Sequence, residues 1–176
     1  MSTMTATERL AHRHLDTRFG RLLLVAGEAG LARIALATED HDRVLDELVR
    51  ARGARLDGST RALDAPARQL DEYFAGRRRT FDLDLDLRSR TGFRRDVLDG
   101  LLAVPYGETT TYTALATRAG RPTAARAAGN ACATNPLSIV VPCHRALRTD
   151  GIVRHYLGGT AMKQALLDLE AGRDVP

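Results

Sequence analysis

The chain has 176 residues, 44% hydrophobic and 27% charged, a balance that allows one compact domain or two small ones and excludes disordered and fibrous classes. No apolar run reaches the length of a membrane span, and the polar start, Met1 to Glu8, has no signal-peptide core, so the cytoplasm is the expected location. The net charge of +4 is concentrated in residues 88–164, where eleven Arg and Lys stand against four Asp and Glu; either a polyanionic partner, nucleic acid first, or a solvated Arg-rich surface accounts for it.

In chain order, residues 12–38 alternate short apolar runs with turn residues. Leu22–Ala26 and Leu31–Ala37 flank Gly27-Glu28-Ala29-Gly30, the pattern of a hairpin. Residues 41–52 place Val44, Leu45, Leu48 and Val49 at helical spacing. Residues 61–75 do the same with Leu63, Ala67, Leu70 and Phe74 before Gly76 stops the helix. Residues 81–87 alternate Phe81, Leu83, Leu85 and Leu87 with Asp82, Asp84 and Asp86, which predicts a half-buried strand with a solvated acidic face. The Arg-Ser-Arg-Thr-Gly of 88–92 marks a boundary. It separates an α/β N-terminal domain, residues 1–88, from a mostly α C-terminal domain, residues 89–176.

Beyond the boundary, Phe93, Val97, Leu101 and Leu102 share one helical stripe, ended by Pro105-Tyr106-Gly107. Thr109–Thr111 can cap a helix holding Tyr112, Leu115 and Ala116, which breaks at Ala119-Gly120-Arg121-Pro122. Thr123 is then the expected N-cap of a helix over Ala124–Cys132, built of small residues around Arg126. Two short helices joined by a Gly-containing turn have the layout of a helix-turn-helix. The small face suits either a groove, with one long cation projecting, or a close helix–helix contact. A last helix covers 160–170, with Met162, Ala165, Leu166 and Leu169 inward.

Between these helices stands Ile139-Val140-Val141-Pro142-Cys143-His144-Arg145. An apolar, strand-like run ends on a thiol with an imidazole and a guanidinium beside it. The thiolate is the nucleophilic form of cysteine. His144 can take the proton, and Arg145 or a helix end can stabilise the charge. Cys132 has no base beside it and reads as a packing residue. Two cysteines with scattered histidines fit neither a disulfide framework nor a zinc-ligand spacing, so no metal is expected.

The C-terminal half resembles the O6-alkylguanine-DNA alkyltransferases, also called methylated-DNA–protein-cysteine methyltransferases. The matching segments are Pro105-Tyr106-Gly107-Glu108-Thr109, Tyr112 with Leu115-Ala116, Ala124-Ala125-Arg126-Ala127, Asn135-Pro136, the Ile139–Arg145 run, Tyr156, Gly158-Gly159, Lys163, and Leu166-Leu167 through Glu170. They stand in family order and at family spacing. The N-terminal half matches only in layout. The resemblance implies a ribonuclease-H-like N-terminal domain without a catalytic site and a winged-helix-like C-terminal domain. It implies a monomer that needs no cofactor and acts on double-stranded DNA containing O6-alkylguanine, with O4-alkylthymine a second candidate. The helix-turn-helix would enter the minor groove and flip the lesion out of the stack. The alkyl group would then pass irreversibly to Cys143, one transfer per molecule.

Residue by residue, the resemblance makes Cys143 the acceptor, His144 the base acting through a water, and Glu170 the carboxylate that orients it. Tyr112 becomes the proton donor to the leaving guanine and Asn135 a hinge side chain. Arg126 would fill the vacated stack, with Thr123, Ala125, Ala128, Gly129 and Arg94 joining Tyr112 on the DNA face. Ala146, Arg154, Tyr156 and Leu157 would line the base pocket. The chain departs from its relatives at Leu98, where many carry Trp, at Ser138, and at Arg154-His155, where small residues are common. Arg154 at the pocket rim is expected to disfavour bulky adducts such as benzyl. A non-enzymatic lesion binder, a helix-turn-helix regulator and a cysteine hydrolase are the competing readings.

Overall fold

Three consecutive antiparallel strands, β1 (Arg9–Thr17), β2 (Gly20–Gly27) and β3 (Gly30–Ala35), open the fold. A short β4 (Arg55–Asp57) pairs parallel to β1 and completes the order β3-β2-β1-β4. The computed structural model describes residues 7–175, so most of the polar start lies outside the described residues. The β2–β3 pair is the expected hairpin. The sequence pattern does not separate β1 or β4, because Arg9, His12, Arg13 and His14 interrupt the alternation of one and the other has three residues.

Leu22–Ala26 of β2 are buried throughout because the sheet is covered on both faces. One face takes α1 (His41–Arg52), with Leu10, Leu23, Val25 and Ala35 against Leu45. The other takes α2 (Asp64–Phe74), where Leu22, Leu24 and Ile34 join Leu70 and Tyr73 in a cluster that runs on into the C-terminal half. Asp40 caps α1 by accepting from Arg43 N at 3.1 Å, and Gly53 ends it at φ +58°, a left-handed conformation that favours glycine.

Residues 81–87 do not form the expected strand. They run beside β3 through one isolated bridge, with Leu31 N donating to Asp84 O and Asp86 N to Leu31 O, both at 2.8 Å. The acidic alternation fails at Asp86, which is buried rather than solvated. Arg88 at 2.8 Å and Arg52 at 2.6 Å clamp its carboxylate and hold it far below the usual aspartate range.

The C-terminal half holds α3 (Gly92–Leu102), α4 (Tyr112–Arg118), α5 (Ala125–Ala133) and α6 (Gly159–Glu170). A minimal parallel pair, β5 (Thr110–Thr111) and β6 (Ala146–Leu147), sits among them. The helices α4 and α5 are the expected helix-turn-helix and pack on each other and on α3. Thr111 caps α4, accepting from Ala114 N at 3.0 Å. Thr123 does not cap α5: the cap position falls one residue later, on Ala124, which has no side-chain acceptor to offer. Leu98 is fully buried in the shared core. The halves are stitched where Ile34 N, on edge strand β3, donates to Pro136 O at 2.8 Å. No helix of the described residues is long and apolar enough to cross a membrane.

Candidate active site

Residues 139–142 are a tight turn rather than the end of a strand. Ile139 sits at φ +79°, a costly conformation for a β-branched residue, and Val141 N folds back to Leu137 O at 2.8 Å. The turn delivers Cys143 onto a buried 3₁₀ turn, Cys143–Arg145. Strain of this kind, on the order of 1–3 kcal/mol, persists only where the surroundings over-determine it. Asn135 supplies that constraint. Its Nδ2 donates to Val141 O at 2.8 Å and to Cys143 Sγ at 3.2 Å, while Oδ1 accepts from Leu137 N at 3.0 Å. One buried side chain thus pins the loop and the thiol together.

Behind the thiol segment, His144 and Glu170 form a buried pair, Nε2 to Oε1 at 2.8 Å. Glu170 ends α6 and gathers further donors. Tyr73 Oη at 2.6 Å and Arg145 Nη2 at 2.8 Å reach Oε1; Arg145 Nε at 2.9 Å and Gly107 N at 3.2 Å reach Oε2. Gly107 is at φ +80°, and a side chain there would crowd the Glu170 carbonyl at 3.2 Å. Burial pushes the carboxyl pKa up, but the donors, His144 and Arg145 first, hold it well below the usual glutamate range.

An ionised carboxylate only accepts hydrogen bonds, so His144 Nε2 carries the proton and Nδ1 is the basic nitrogen. That Nδ1 is buried and has no hydrogen-bond partner among the described residues. Burial holds the imidazole below its ordinary 6.5, against the pull of Glu170, so it is neutral at pH 7 and free to take a proton.

Arg145 is not the cation beside the thiol. Its guanidinium is committed to Glu170 and to Val104 O at 2.5 Å. Lys163 of α6 takes that role. It is 1% exposed, and its Nζ donates to Ala146 O at 2.7 Å and reaches Tyr112 Oη and Arg154 O, each at 3.4 Å. Burial lowers its pKa, and the nearby Cys143 acts in the opposite sense. Burial raises the Cys143 thiol above its ordinary 9.0, while the Asn135 hydrogen bond and the Lys163 charge favour the thiolate. Tyr112 is pushed up to about 12, by burial first, and stays protonated as a donor. Sequence reasoning gave no role to Lys163 or Tyr73. A lysine inside a helix, and a tyrosine in the other half of the chain, leave no local signal of such contacts.

A cavity of about 480 Å³ opens onto the thiol, within the range of sites that enclose a small organic molecule. Cys143 meets there with Tyr112, with Ala125, Arg126 and Gly129 of the helix-turn-helix, and with Arg154, Tyr156 and Leu157. Cys132 lines it as well, although almost wholly buried. Asn135, His144 and Glu170 lie behind this wall, and Ala146 is buried with its carbonyl bonded to Lys163. Ala128 does not share the open face of Ala125 and Gly129: it points into the core and is fully buried. Thr123 and Arg94 are exposed but do not line the cavity.

A buried thiol at the wall of a cavity bordered by a helix-turn-helix, with a His144–Glu170 pair packed behind it, defines a protein built around a cavity-facing cysteine. Comparisons place it more closely. The sequence model for the 6-O-methylguanine DNA methyltransferase DNA-binding domain matches residues 92–172, and that for its ribonuclease-like domain matches residues 10–87. The methylated-DNA–protein-cysteine methyltransferase of Mycolicibacterium paratuberculosis is 37% identical over 161 residues, 92% of each chain. Its counterpart in Mycobacterium tuberculosis is 49% identical over 105 residues, 60% of this chain and 63% of that relative's length. The crystal structure of the Mycobacterium tuberculosis O6-methylguanine methyltransferase matches with a TM-score of 0.78 at 36% identity, covering 94% of both chains. The DNA complex of the Mycobacterium tuberculosis protein named OGT gives 0.77 at 37% identity, again covering 94% of both. The chain belongs to the 6-O-methylguanine DNA methyltransferase family.

Proposed function

We propose that this protein repairs DNA by taking the alkyl group of O6-alkylguanine onto Cys143, irreversibly and once per molecule. One observation carries the reading: a pinned cysteine with a neutral imidazole and an ionised carboxylate behind it opens into the cavity that α5 borders. Through a water, His144 Nδ1 takes the thiol proton, and Glu170 stabilises the imidazolium that forms. Cys143 Sγ attacks the alkyl carbon in line. The carbon–O6 bond breaks, and Tyr112 donates a proton to the leaving guanine. The product is a thioether, which no water attacks, so no second step restores the cysteine. The step needs no cofactor.

The helix-turn-helix enters the minor groove of double-stranded DNA. Arg126, exposed on α5, fills the gap left by the flipped nucleotide. Ala125 and Gly129 keep that face low enough for close approach, with Thr123 and Arg94 at its margin. Ala146, Tyr156 and Leu157 border the extruded base, with O4-alkylthymine as a second substrate. We read the order β3-β2-β1-β4 as ribonuclease-H-like and α3–α5 with β5 and β6 as winged-helix-like. The two family matches stop and start between residues 87 and 92, which supports domains of 1–88 and 89–176. The protein acts as a cytoplasmic monomer.

The test is intact mass after incubation with duplex DNA carrying one O6-methylguanine, beside Cys143→Ala. A single methylene mass located on Cys143 and absent from the variant supports the reading. An unchanged mass with tight lesion-specific binding replaces it with a lesion binder.

A further inference from the structure

The cavity carries an electrostatic bias that transfer of a plain methyl group does not use. Arg126, Arg148, Arg154 and His155 line it, and no aspartate or glutamate does. Arg148 is shared with Asp150 at 3.3 Å, whereas Arg154 has no carboxylate partner among the described residues. The backbone fixes Arg154 at this wall: its carbonyl lies 3.4 Å from Lys163 Nζ, and the next residue, His155, is held at φ +45°.

On the function proposed above, the reacting carbon stands at Cys143 Sγ. Whatever that carbon bears must then occupy the remaining cavity. An apolar group there displaces water from arginine without replacing its hydrogen bonds and a neutral amide accepts through one oxygen only, whereas a carboxylate gains a charged, bidentate guanidinium partner and meets no like charge. We propose that the site favours O6-alkylguanines whose alkyl group ends in a carboxylate, O6-carboxymethylguanine being the simplest, and that Arg154 determines this preference.

The chemistry is the same displacement. The Cys143 proton passes to His144, and a bond forms between Sγ and the methylene carbon. The bond from that carbon to O6 breaks, its electron pair stays with the guanine, and the guanine is reprotonated. The product is S-carboxymethylcysteine, its carboxylate still beside Arg154. An exposed ion pair of this kind corresponds to a preference of about two- to fivefold.

The experiment uses three duplexes, each with one modified guanine: O6-methyl, O6-carboxymethyl, and the neutral isostere O6-carbamoylmethyl. Second-order transfer rates are read by intact mass for the unmodified protein, Arg154→Gln and Arg154→Lys. The expected carboxymethyl-to-carbamoylmethyl rate ratio is about two to five in the unmodified protein. It falls to about one in Arg154→Gln and stays intermediate in Arg154→Lys, whatever either variant does to the methyl rate. A ratio at or below one in the unmodified protein overturns the proposal without recourse to a variant. So does a ratio that Arg154→Gln leaves unchanged while all three rates drop together, which marks Arg154 as a phosphate contact. Absence of transfer from the O6-methyl duplex refutes the parent function instead.

Discussion

Tyr73 Oη donates to Glu170 Oε1 at 2.6 Å, so a side chain from the N-terminal half holds the carboxylate that holds His144. Tyr73 is fully buried among Phe74, Phe81 and Tyr106. Its ring is core and its hydroxyl is one of the donors gathered on Glu170. Tyr73→Phe keeps the ring and deletes only the hydrogen bond. The expected cost is about 1–3 kcal/mol in urea unfolding, together with slower alkyl transfer, because the carboxylate loses its shortest contact. A variant of unchanged stability and unchanged transfer rate would show that the N-terminal half is a passive support.

Glu170→Gln should cost more. It leaves Arg145, 7% exposed, as a buried cation without its counter-charge, worth about 3–5 kcal/mol. The pH dependence has a definite sign. A carboxyl depressed in the folded state adds stability that is fully present above its ordinary value of 4.5 and is lost as pH falls below it. Asp86 is depressed in the same sense and contributes in both proteins. Urea midpoints measured downward from neutral pH should therefore fall steeply in the unmodified protein and less steeply in Glu170→Gln. Parallel curves would mean that Glu170 is not the ionised hub of this site.

Much of this arrangement is legible in the sequence, and the losses have physical reasons. Cys143, His144 and Arg145 are adjacent, so their chemistry is local and readable. The partners are not: Arg145 turns to Glu170, the thiol takes its hydrogen bond from Asn135, and the cation that acts on it is Lys163 from α6. Helix positions follow from periodicity, and the α4 cap from Thr111, but Thr123 fails because the turn runs one residue longer than its capping pattern suggests. The 81–87 segment keeps its alternation through Leu85 and loses its strand because it lies along β3 without a continuous ladder. Ala128 looks like its neighbours in a run of small residues. Only three-dimensional packing tells the alanine that faces the core from those that face the cavity.

The transfer rate should rise with pH across the neutral range. His144 is neutral there because burial lowers its pKa, and the population of Cys143 thiolate grows toward its raised value. Lys163→Met removes the cation that, among the described residues, acts on the thiol from behind the cavity wall. The rate at pH 7 should fall about tenfold, and the rising limb of the pH–rate profile should move to higher pH. Methionine conserves the length of the buried chain, so unfolding and DNA affinity report separately on packing. A slower rate with an unshifted limb would assign Lys163 to the support of Ala146 and Arg154 carbonyls alone.

Arg154 is also the residue expected to limit adduct size. The cavity of about 480 Å³ is bounded at this wall by Arg154 and by His155, which holds a left-handed turn at φ +45°. A benzyl group extending from the reacting carbon meets the guanidinium and must strip its water without offering a hydrogen bond. In the unmodified protein, transfer from O6-benzylguanine DNA should be slower than transfer from O6-methylguanine DNA. Arg154→Gly should narrow the difference by about tenfold, the effect of relieving roughly 1.4 kcal/mol of crowding and desolvation. Glycine also frees the backbone next to His155, so Arg154→Ala belongs beside it to separate side-chain bulk from loop mobility. If both duplexes react equally fast in the unmodified protein, and neither variant changes their ratio, Arg154 does not gate adduct size.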